Sequence, residues 1–264
     1  MIYVTGDIHG SNRRFYTRFF PEQKEMTKDD YIIICGDFGL VWDWEGESAG
    51  EQFALDELNN RNFTTLFIDG NHENFNRLNS YPVTEWHGGK VHMIRPTVIH
   101  LMRGQVFDIC GKKCFTFGGA RSHDIKGLAK ESKLKKDYTA GILQPDDPKL
   151  KEKRKLAETY MVPCRVENRT WWRAEQPNEE EMEEGRKNLA ASGNKVDFIF
   201  THEAPASLQE RLAGKDSPYE FTKYLQEIKD TVDYEHWYFG HYHEDFGLTE
   251  KDTLLYYNIL KIVE

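Results

Sequence analysis

The sequence holds four cysteines and no Cys-x-x-Cys pair. That excludes the usual thiolate-zinc and dithiol-redox signatures. Cys35 follows the apolar run Tyr31-Ile32-Ile33-Ile34 and reads as a buried, reduced thiol. Cys110 and Cys114 flank Gly111-Lys112-Lys113, a hairpin-turn signature, where a disulfide would not suit a reducing compartment. No apolar stretch approaches the ~20 residues of a membrane span. A strand-like run starts at Ile2 and the first candidate ligand is Asp7, so no cleavable leader is expected and cytoplasmic residence is the default. Positive charge is not in excess. The 35 Lys/Arg against 44 Asp/Glu leave a net charge of −9, which excludes bulk attraction to nucleic acid or an anionic membrane. An acidic chain can still hold an anionic substrate where metal ions supply local positive charge. Internal repeats and low-complexity tracts are absent too. With 39% hydrophobic and 30% charged residues in 264, the chain suits a soluble globular protein with a sizeable core.

What the chain does have is Asp, Asn and His beside glycine, repeatedly, at the ends of apolar runs. The five motifs are Gly6-Asp7-Ile8-His9-Gly10, Gly36-Asp37-Phe38, Gly70-Asn71-His72-Glu73, Thr201-His202-Glu203-Ala204-Pro205 and Gly240-His241-Tyr242-His243. Carboxylate, amide and imidazole together suit Mn²⁺, Fe or Zn²⁺ better than a thiolate-seeking metal. Glycine before a ligand leaves room where a side chain would crowd the ions. Alternation along an extended Asp7-x-His9 or His241-x-His243 would put both side chains of each pair on one face.

The first 70 residues read β-α-β-α-β. Strands are expected at Ile2–Thr5, Tyr31–Cys35 and Phe63–Ile68, with helices from a Ser11 cap through Phe20 and over Gly50–Asn60. Open α/β sheets place ligands at the carboxyl ends of such strands. Val91–Ile94, Thr97–Met102, Gln105–Ile109 and Cys114–Phe117 read as short antiparallel strands. Val196–Thr201, His236–Gly240 and Leu254–Ile262 are further strand candidates, and Glu179–Ala191 is an acidic helix. Residues 124–175 carry 13 Lys/Arg against 9 Asp/Glu and read as a basic insertion within one domain spanning 1–264. Its lysines cluster at Lys126–Lys136 and Lys149–Lys155.

In this order, the five motifs resemble the calcineurin-like metallophosphoesterase superfamily over Asp7 to His243. The resemblance implies an α/β fold of two facing mixed β-sheets flanked by helices, a four-layer αββα sandwich. It implies two divalent metal ions, Mn²⁺ first, with Fe or Zn²⁺ as alternatives. Asp7, His9 and His243 then bind one metal and Asn71, His202 and His241 the other, with Asp37 bridging. Such ions sit roughly 3.5–4 Å apart. The implied reaction is hydrolysis of a phosphodiester or phosphomonoester by in-line attack of a metal-bridging hydroxide. His72 resembles the histidine that protonates the leaving group or steadies the transition state.

The implied substrate is a phosphorylated small molecule or nucleotide, with no membrane partner. A nuclease drawing DNA or RNA in through the basic insertion is an alternative. A serine/threonine protein phosphatase is another, but the Asp-Arg-Gly expected there after Asp37 is missing. A non-catalytic metal-binding scaffold is a third, opposed by a full set of ligand positions. Gly118-Gly119-Ala120-Arg121-Ser122 and Trp171-Trp172 resemble segments of bacterial and phage phosphoesterases. Arg121 is a candidate phosphate clamp, against an ordinary surface ion pair. Trp171 and Trp172 stack on a base or, preferably, pack in the core. Phe38, Trp42 and Trp44 wall a pocket or cover the sheet. His87, His92, His100 and His236 read as structural, and His123 is undecided.

Overall fold

The computed structural model describes residues 1–125, 141–159, 161–213 and 218–264. In chain order the first half forms β1 (Ile2–Thr5), β2 (Tyr31–Cys35), α1 (Ala49–Asn59), β3 (Thr64–Ile68), α2 (Phe75–Leu78) and β4 (Val83–Trp86). Next come β5 (Gly89–Arg95), β6 (Val98–Leu101), β7 (Gln105–Ile109) and β8 (Lys112–Phe117). The basic segment contributes β9 (Ile142–Leu143), α3 (Leu150–Thr159) and β10 (Arg165–Val166). The rest is α4 (Glu179–Ala191), β11 (Lys195–Thr201), α5 (Ala206–Ala213), α6 (Glu220–Thr231), β12 (Asp233–Phe239), β13 (Phe246–Gly247), β14 (Asp252–Leu254) and β15 (Leu260–Val263).

Two mixed sheets result. One runs β15-β1-β2-β3-β6-β5-β4, the other β13-β14-β12-β11-β8-β7; β9 and β10 form a separate parallel pair. Side-chain alternation explains how they stack. Ile2, Val4, Ile33, Cys35, Leu66 and Ile68 point one way and meet Phe107, Cys114, Phe198, Phe200 and Tyr238 of the other sheet in one buried cluster. The alternate residues Tyr3, Ile32, Ile34 and Phe67 meet Phe15, Phe38, Leu55 and Leu58 on the outer side. Phe115, Phe117, Ile199, Trp237 and Phe239 likewise meet Met182, Leu189, Phe221, Leu225 and Ile228 of α4 and α6. Every strand residue of β1, β2 and β3 is buried, so these strands read as continuous apolar runs. The layers are helix, sheet, sheet, helix, as the resemblance implied.

Strands β1, β2 and β3 are mutually parallel, as are β8, β11, β12 and β14. The antiparallel expectation holds for β5 with β6 and β7 with β8, but β6 also pairs parallel to β3 and β8 parallel to β11.

Two sequence expectations are corrected. No helix runs from Ser11 to Phe20; the chain forms two short 3₁₀ turns, Asn12–Phe15 and Pro21–Glu25. Ser11 makes no capping hydrogen bond. Polar side chains there reach tertiary partners instead. Asn12 donates to the Ala54 carbonyl, and buried Arg14 donates to Thr5 Oγ1, the Gly6 and Asp7 carbonyls and the Tyr256 carbonyl. Leu254–Ile262 is not one strand either. It leaves the second sheet at Leu254 and enters the first at Leu260, with Asp245 accepting the amides of Tyr256, Tyr257 and Asn258 in the crossing.

All four cysteines are free. Trp171 and Trp172 are buried, which makes them packing residues. The Lys126–Lys136 cluster lies outside the described residues. Among the described residues no helix is long and apolar enough to cross a membrane.

Candidate metal centre

Asp7, Asp37 and Asn71 follow the carboxyl ends of β1, β2 and β3, while His202 and His241 follow β11 and β12. Parallel pairing aligns these ends within each sheet, and His202 joins the two sets through the Cys35 carbonyl and Asn71. The loops are tied to one another: Ile8 and His9 donate their amides to the Asp37 carbonyl, and Gly240 donates to the His202 carbonyl. The backbone there is unusual. His9, Asp37, His241 and His243 have φ of 45°, 44°, 74° and 54°, in the left-handed region that non-glycine residues seldom occupy. Such strain persists only where the surroundings over-determine it, and it clusters at functional sites. It also overturns simple alternation. His243 Nε2 lies near Asp7 and His9, while the His241 ring lies against His202. Gly70 is required by close approach, since a Cβ there would overlap the Asp37 carboxylate and amide.

The seven side chains form two groups sharing Asp37. In the first, ligand atoms of Asp7, His9, Asp37 and His243 all lie within 4.8 Å of one another. His9 Nε2 is 3.0 Å from His243 Nε2 and 3.7 Å from Asp37 Oδ2. In the second, His202 Nε2 is 3.4 Å from Asp37 Oδ1 and 3.2 Å from Asn71 Oδ1. The His241 ring packs edge-on against His202 with centroids 4.9 Å apart. His202 Nδ1 lies 2.8 Å from the Cys35 carbonyl, which places the proton on Nδ1 and leaves Nε2 to face the oxygens.

The charges of this cluster call for a cation. Burial would lower His202, yet Asp37 and Asp7 push it up to about 10. Burial would raise Asp37, but His202, His72 and His9 hold it far below the usual carboxylate range. A positive charge at His202 Nε2 is therefore strongly favoured, and a proton and a metal ion compete for that place. Buried Asp7 Oδ2, within the first group, has no hydrogen-bond partner, and neither does His241 Nε2, which lies 3.9 Å from Glu203 Oε2. His243 Nε2 approaches Asp7 Oδ2 to 3.2 Å without hydrogen-bond geometry. Leaving such an atom unpaired costs about 1–3 kcal/mol. Bound ions would offset that cost, so the donor set fits divalent metal.

His72 lies beside the first group, its ring 5.2 Å from His9 and 5.6 Å from Trp42 by centroid. Its backbone amide donates to Asp37 Oδ1 at 2.8 Å. Burial lowers its pKa, with Asp37 opposing. Arg121 stacks its guanidinium on Tyr219, 4.5 Å from the ring centroid. His123 stacks on His241 at 4.8 Å, so the undecided histidine adjoins the second group. Phe38 stacks on Phe67 and covers the sheet, whereas Trp42 touches both His72 and Trp172. His92 and His100 are buried against each other and Asp69, away from the ligands, and His87 and His236 bond Asp108 and Thr253.

Several supporting residues carried no role in the sequence reading. Buried Glu73 accepts the Phe38 amide at 2.7 Å and the Gly39 amide at 3.3 Å, fixing the turn after Asp37. Buried Glu203 accepts from the Ala204 amide and from the Tyr219 and Tyr242 hydroxyls, tying the His202 turn to the His241 loop. Both glutamates stand inside quoted motifs, which was the available signal. Ser122 likewise stands inside the quoted Gly118–Ser122 segment, whereas Arg14 and Glu175 had no comparable signal.

The family profile of calcineurin-like phosphoesterases matches residues 1–245. Among curated proteins, lariat debranching enzyme A of Xenopus laevis is 29% identical over 139 residues, 47% of this chain and 24% of that protein. The match thus spans about a quarter of that relative's length. With the match running from the first residue past His243, the chain belongs to the calcineurin-like phosphoesterase family of metal-dependent hydrolases.

Proposed function

We propose that the chain is a dinuclear metal-dependent phosphoesterase that acts on phosphodiesters. The observation carrying this reading is the pair of side-chain groups sharing Asp37, with Asp7 Oδ2 buried and unpaired among the first of them. Asp7, His9, His243 and Asp37 would hold one ion; Asn71, His202, His241 and Asp37 would hold the other. The pair of cations, Mn²⁺ in the first instance, would lower the pKa of water and neutralise phosphoryl charge. Asp37 would serve both, since its Oδ2 faces His9 and its Oδ1 faces His202. His72, kept neutral by burial, would donate an N–H hydrogen bond to a phosphoryl or leaving-group oxygen, a bond that strengthens as that oxygen becomes more anionic. Arg121, braced on Tyr219, takes a further phosphate oxygen. Residues 124–175 are an insertion in one domain over 1–264 and bear on substrate choice.

A nuclease is the second reading, favoured by two observations. The similar Xenopus protein is named for lariat debranching. Arg165 of the basic segment, paired with Asp124, is close enough to oppose protonation of His72. The direct test is hydrolysis of bis-p-nitrophenyl phosphate against p-nitrophenyl phosphate with Mn²⁺, then a panel of oligonucleotides. Turnover of the diester is expected to exceed that of the monoester. Hydrolysis confined to the monoester would overturn the diesterase reading.

A further inference from the structure

The Gly118-Gly119-Ala120-Arg121-Ser122 segment and the Trp171-Trp172 pair have no part in the ligand set, yet a chain of hydrogen bonds links them to it. Asn71 Nδ2 donates to Ser122 Oγ at 3.3 Å. Ser122 Oγ–H donates to Glu175 Oε2 at 2.5 Å, and the Ser122 amide donates to Glu175 Oε1 at 2.9 Å. All three residues are buried, Glu175 completely. Glu175 is itself held from two sides: its carbonyl accepts from the Ala120 amide at 3.1 Å and from Arg103 Nη2 at 3.4 Å. Gly119, at φ +93°, is what admits this contact, since a Cβ there would stand 2.7 Å from the Glu175 carbonyl oxygen.

The polarity of this chain matters because a carboxamide has two different ends. Its oxygen can ligate a cation and its NH₂ cannot. Above about pH 7 Glu175 is a carboxylate and offers only acceptors to Ser122, so there the hydroxyl proton points at Glu175 and the oxygen's lone pairs face Asn71. Asn71 must answer with its NH₂, which turns its oxygen to the other side, 3.2 Å from His202 Nε2. We propose that Glu175, acting through Ser122, is a positioning residue that fixes the Asn71 carboxamide with its oxygen toward His202 and the second ion. This inference rests on the reading of Asn71 as a metal ligand. It gives the carboxyl end of the basic segment a function, because Glu175 stands three residues after Trp172 and belongs to neither sheet.

Glu175→Gln tests it with almost no change of shape. A glutamine NH₂ donates to Ser122, whose proton then turns toward Asn71 and favours the flipped amide. Outer partners of metal ligands affect metal affinity by roughly 10- to 100-fold. The probe is Mn²⁺ added to metal-free protein, with bound ions counted by calorimetry and by the spin signal of free Mn²⁺. Wild type is expected to bind two ions. Glu175→Gln is expected to weaken one of them at least ~10-fold and leave the other unchanged. Ser122→Ala, which removes only the intermediary, is expected to weaken the same ion. The discriminating arm is Asn71→Asp, whose two oxygens make a flip meaningless. In that background Glu175→Gln is expected to cost less than ~3-fold, the signature of coupling in a double-mutant cycle.

An equal loss with and without Asn71→Asp would mean that Glu175 acts through the fold, and would overturn the inference. So would two undisturbed ions in both Glu175→Gln and Ser122→Ala. A wild-type chain that binds no second ion would overturn the underlying metal reading as well, an outcome distinct from the other two.

Discussion

At the scale of single residues, the site was legible where its chemistry is local in sequence. Asp7 with His9 and His241 with His243 lie two apart, and every candidate ligand except His243 sits beside a glycine or a strand end. Orientation was not legible. The left-handed backbone at His9, Asp37, His241 and His243 is a tertiary property. The same is true of Ser122 and Glu175, 53 residues apart in sequence and joined by two hydrogen bonds. Glu175 also carries a pH signature. Burial raises its pKa from 4.5 to about 7. The folded state therefore holds its proton more tightly than the unfolded chain, and stability falls as pH rises from 4.5 to 7. Glu175→Gln removes that slope. In metal-free protein the stability of Glu175→Gln relative to wild type is expected to rise by up to about 3 kcal/mol between pH 4.5 and 7.5, read from urea unfolding at each pH. A flat difference would refute the assignment. For His72, alanine is expected to lower turnover about 10²- to 10⁴-fold, most on substrates with poor leaving groups, with metal content unchanged. Loss of metal instead would make it a structural residue. Arg121→Ala is expected to raise KM more than it lowers kcat, with partial recovery in Arg121→Lys; unchanged KM would remove Arg121 from the substrate's path.

At the scale of elements, buried parallel strands announced themselves as apolar runs with little alternation. β1, β2 and β3 lie within a residue of their expected bounds. The failures share a cause. Residues 11–25 bury Asn12 and Arg14, whose partners lie on other elements, and Gln23, which caps the Phe15 and Phe20 carbonyls, so local helix preference lost to these hydrogen bonds. The Leu254–Ile262 run is apolar throughout most of its length, and nothing in it marks the crossing between sheets. One element explains the placing of Trp42 beside His72. Helix α1 opens with a capping box between Ser48 and Glu51. Glu51 also accepts the Trp42 amide at 2.6 Å and the Asp43 amide at 2.8 Å, and pairs with Arg77 at 2.8 Å. Glu51→Ala strands those donors and a half-buried guanidinium. It is expected to cost about 2–4 kcal/mol in unfolding free energy while sparing metal binding at low temperature. A loss under 1 kcal/mol in denaturant titration would show that water replaces the carboxylate freely.

At the scale of the whole molecule, the layered architecture followed from the family resemblance and not from periodicity. The three buried clusters show its physical basis: each sheet face has an apolar set of its own, so two sheets and two helical layers bury all four faces. The acidic surface and the basic segment pull in opposite directions on an anionic substrate. Helix α3 carries much of the positive charge in the open, with only Ala157 buried. If nucleic acid is the substrate, changing Lys149, Lys151 and Lys155 to Gln should lower kcat/KM on an oligonucleotide and flatten its salt dependence, leaving bis-p-nitrophenyl phosphate untouched. Identical salt slopes would remove α3 from the nuclease reading.

The account stands or falls on Asp37, the side chain shared by the two proposed ligand groups. Asp37→Asn keeps its size and removes its charge. The measurement is Mn²⁺ bound per chain together with Mn²⁺-dependent diester hydrolysis, for wild type and variant side by side. Two ions and turnover in wild type, with loss of paired binding and of detectable turnover in Asp37→Asn, is the predicted result. An Asp37→Asn protein that hydrolyses the diester at the wild-type rate would contradict it.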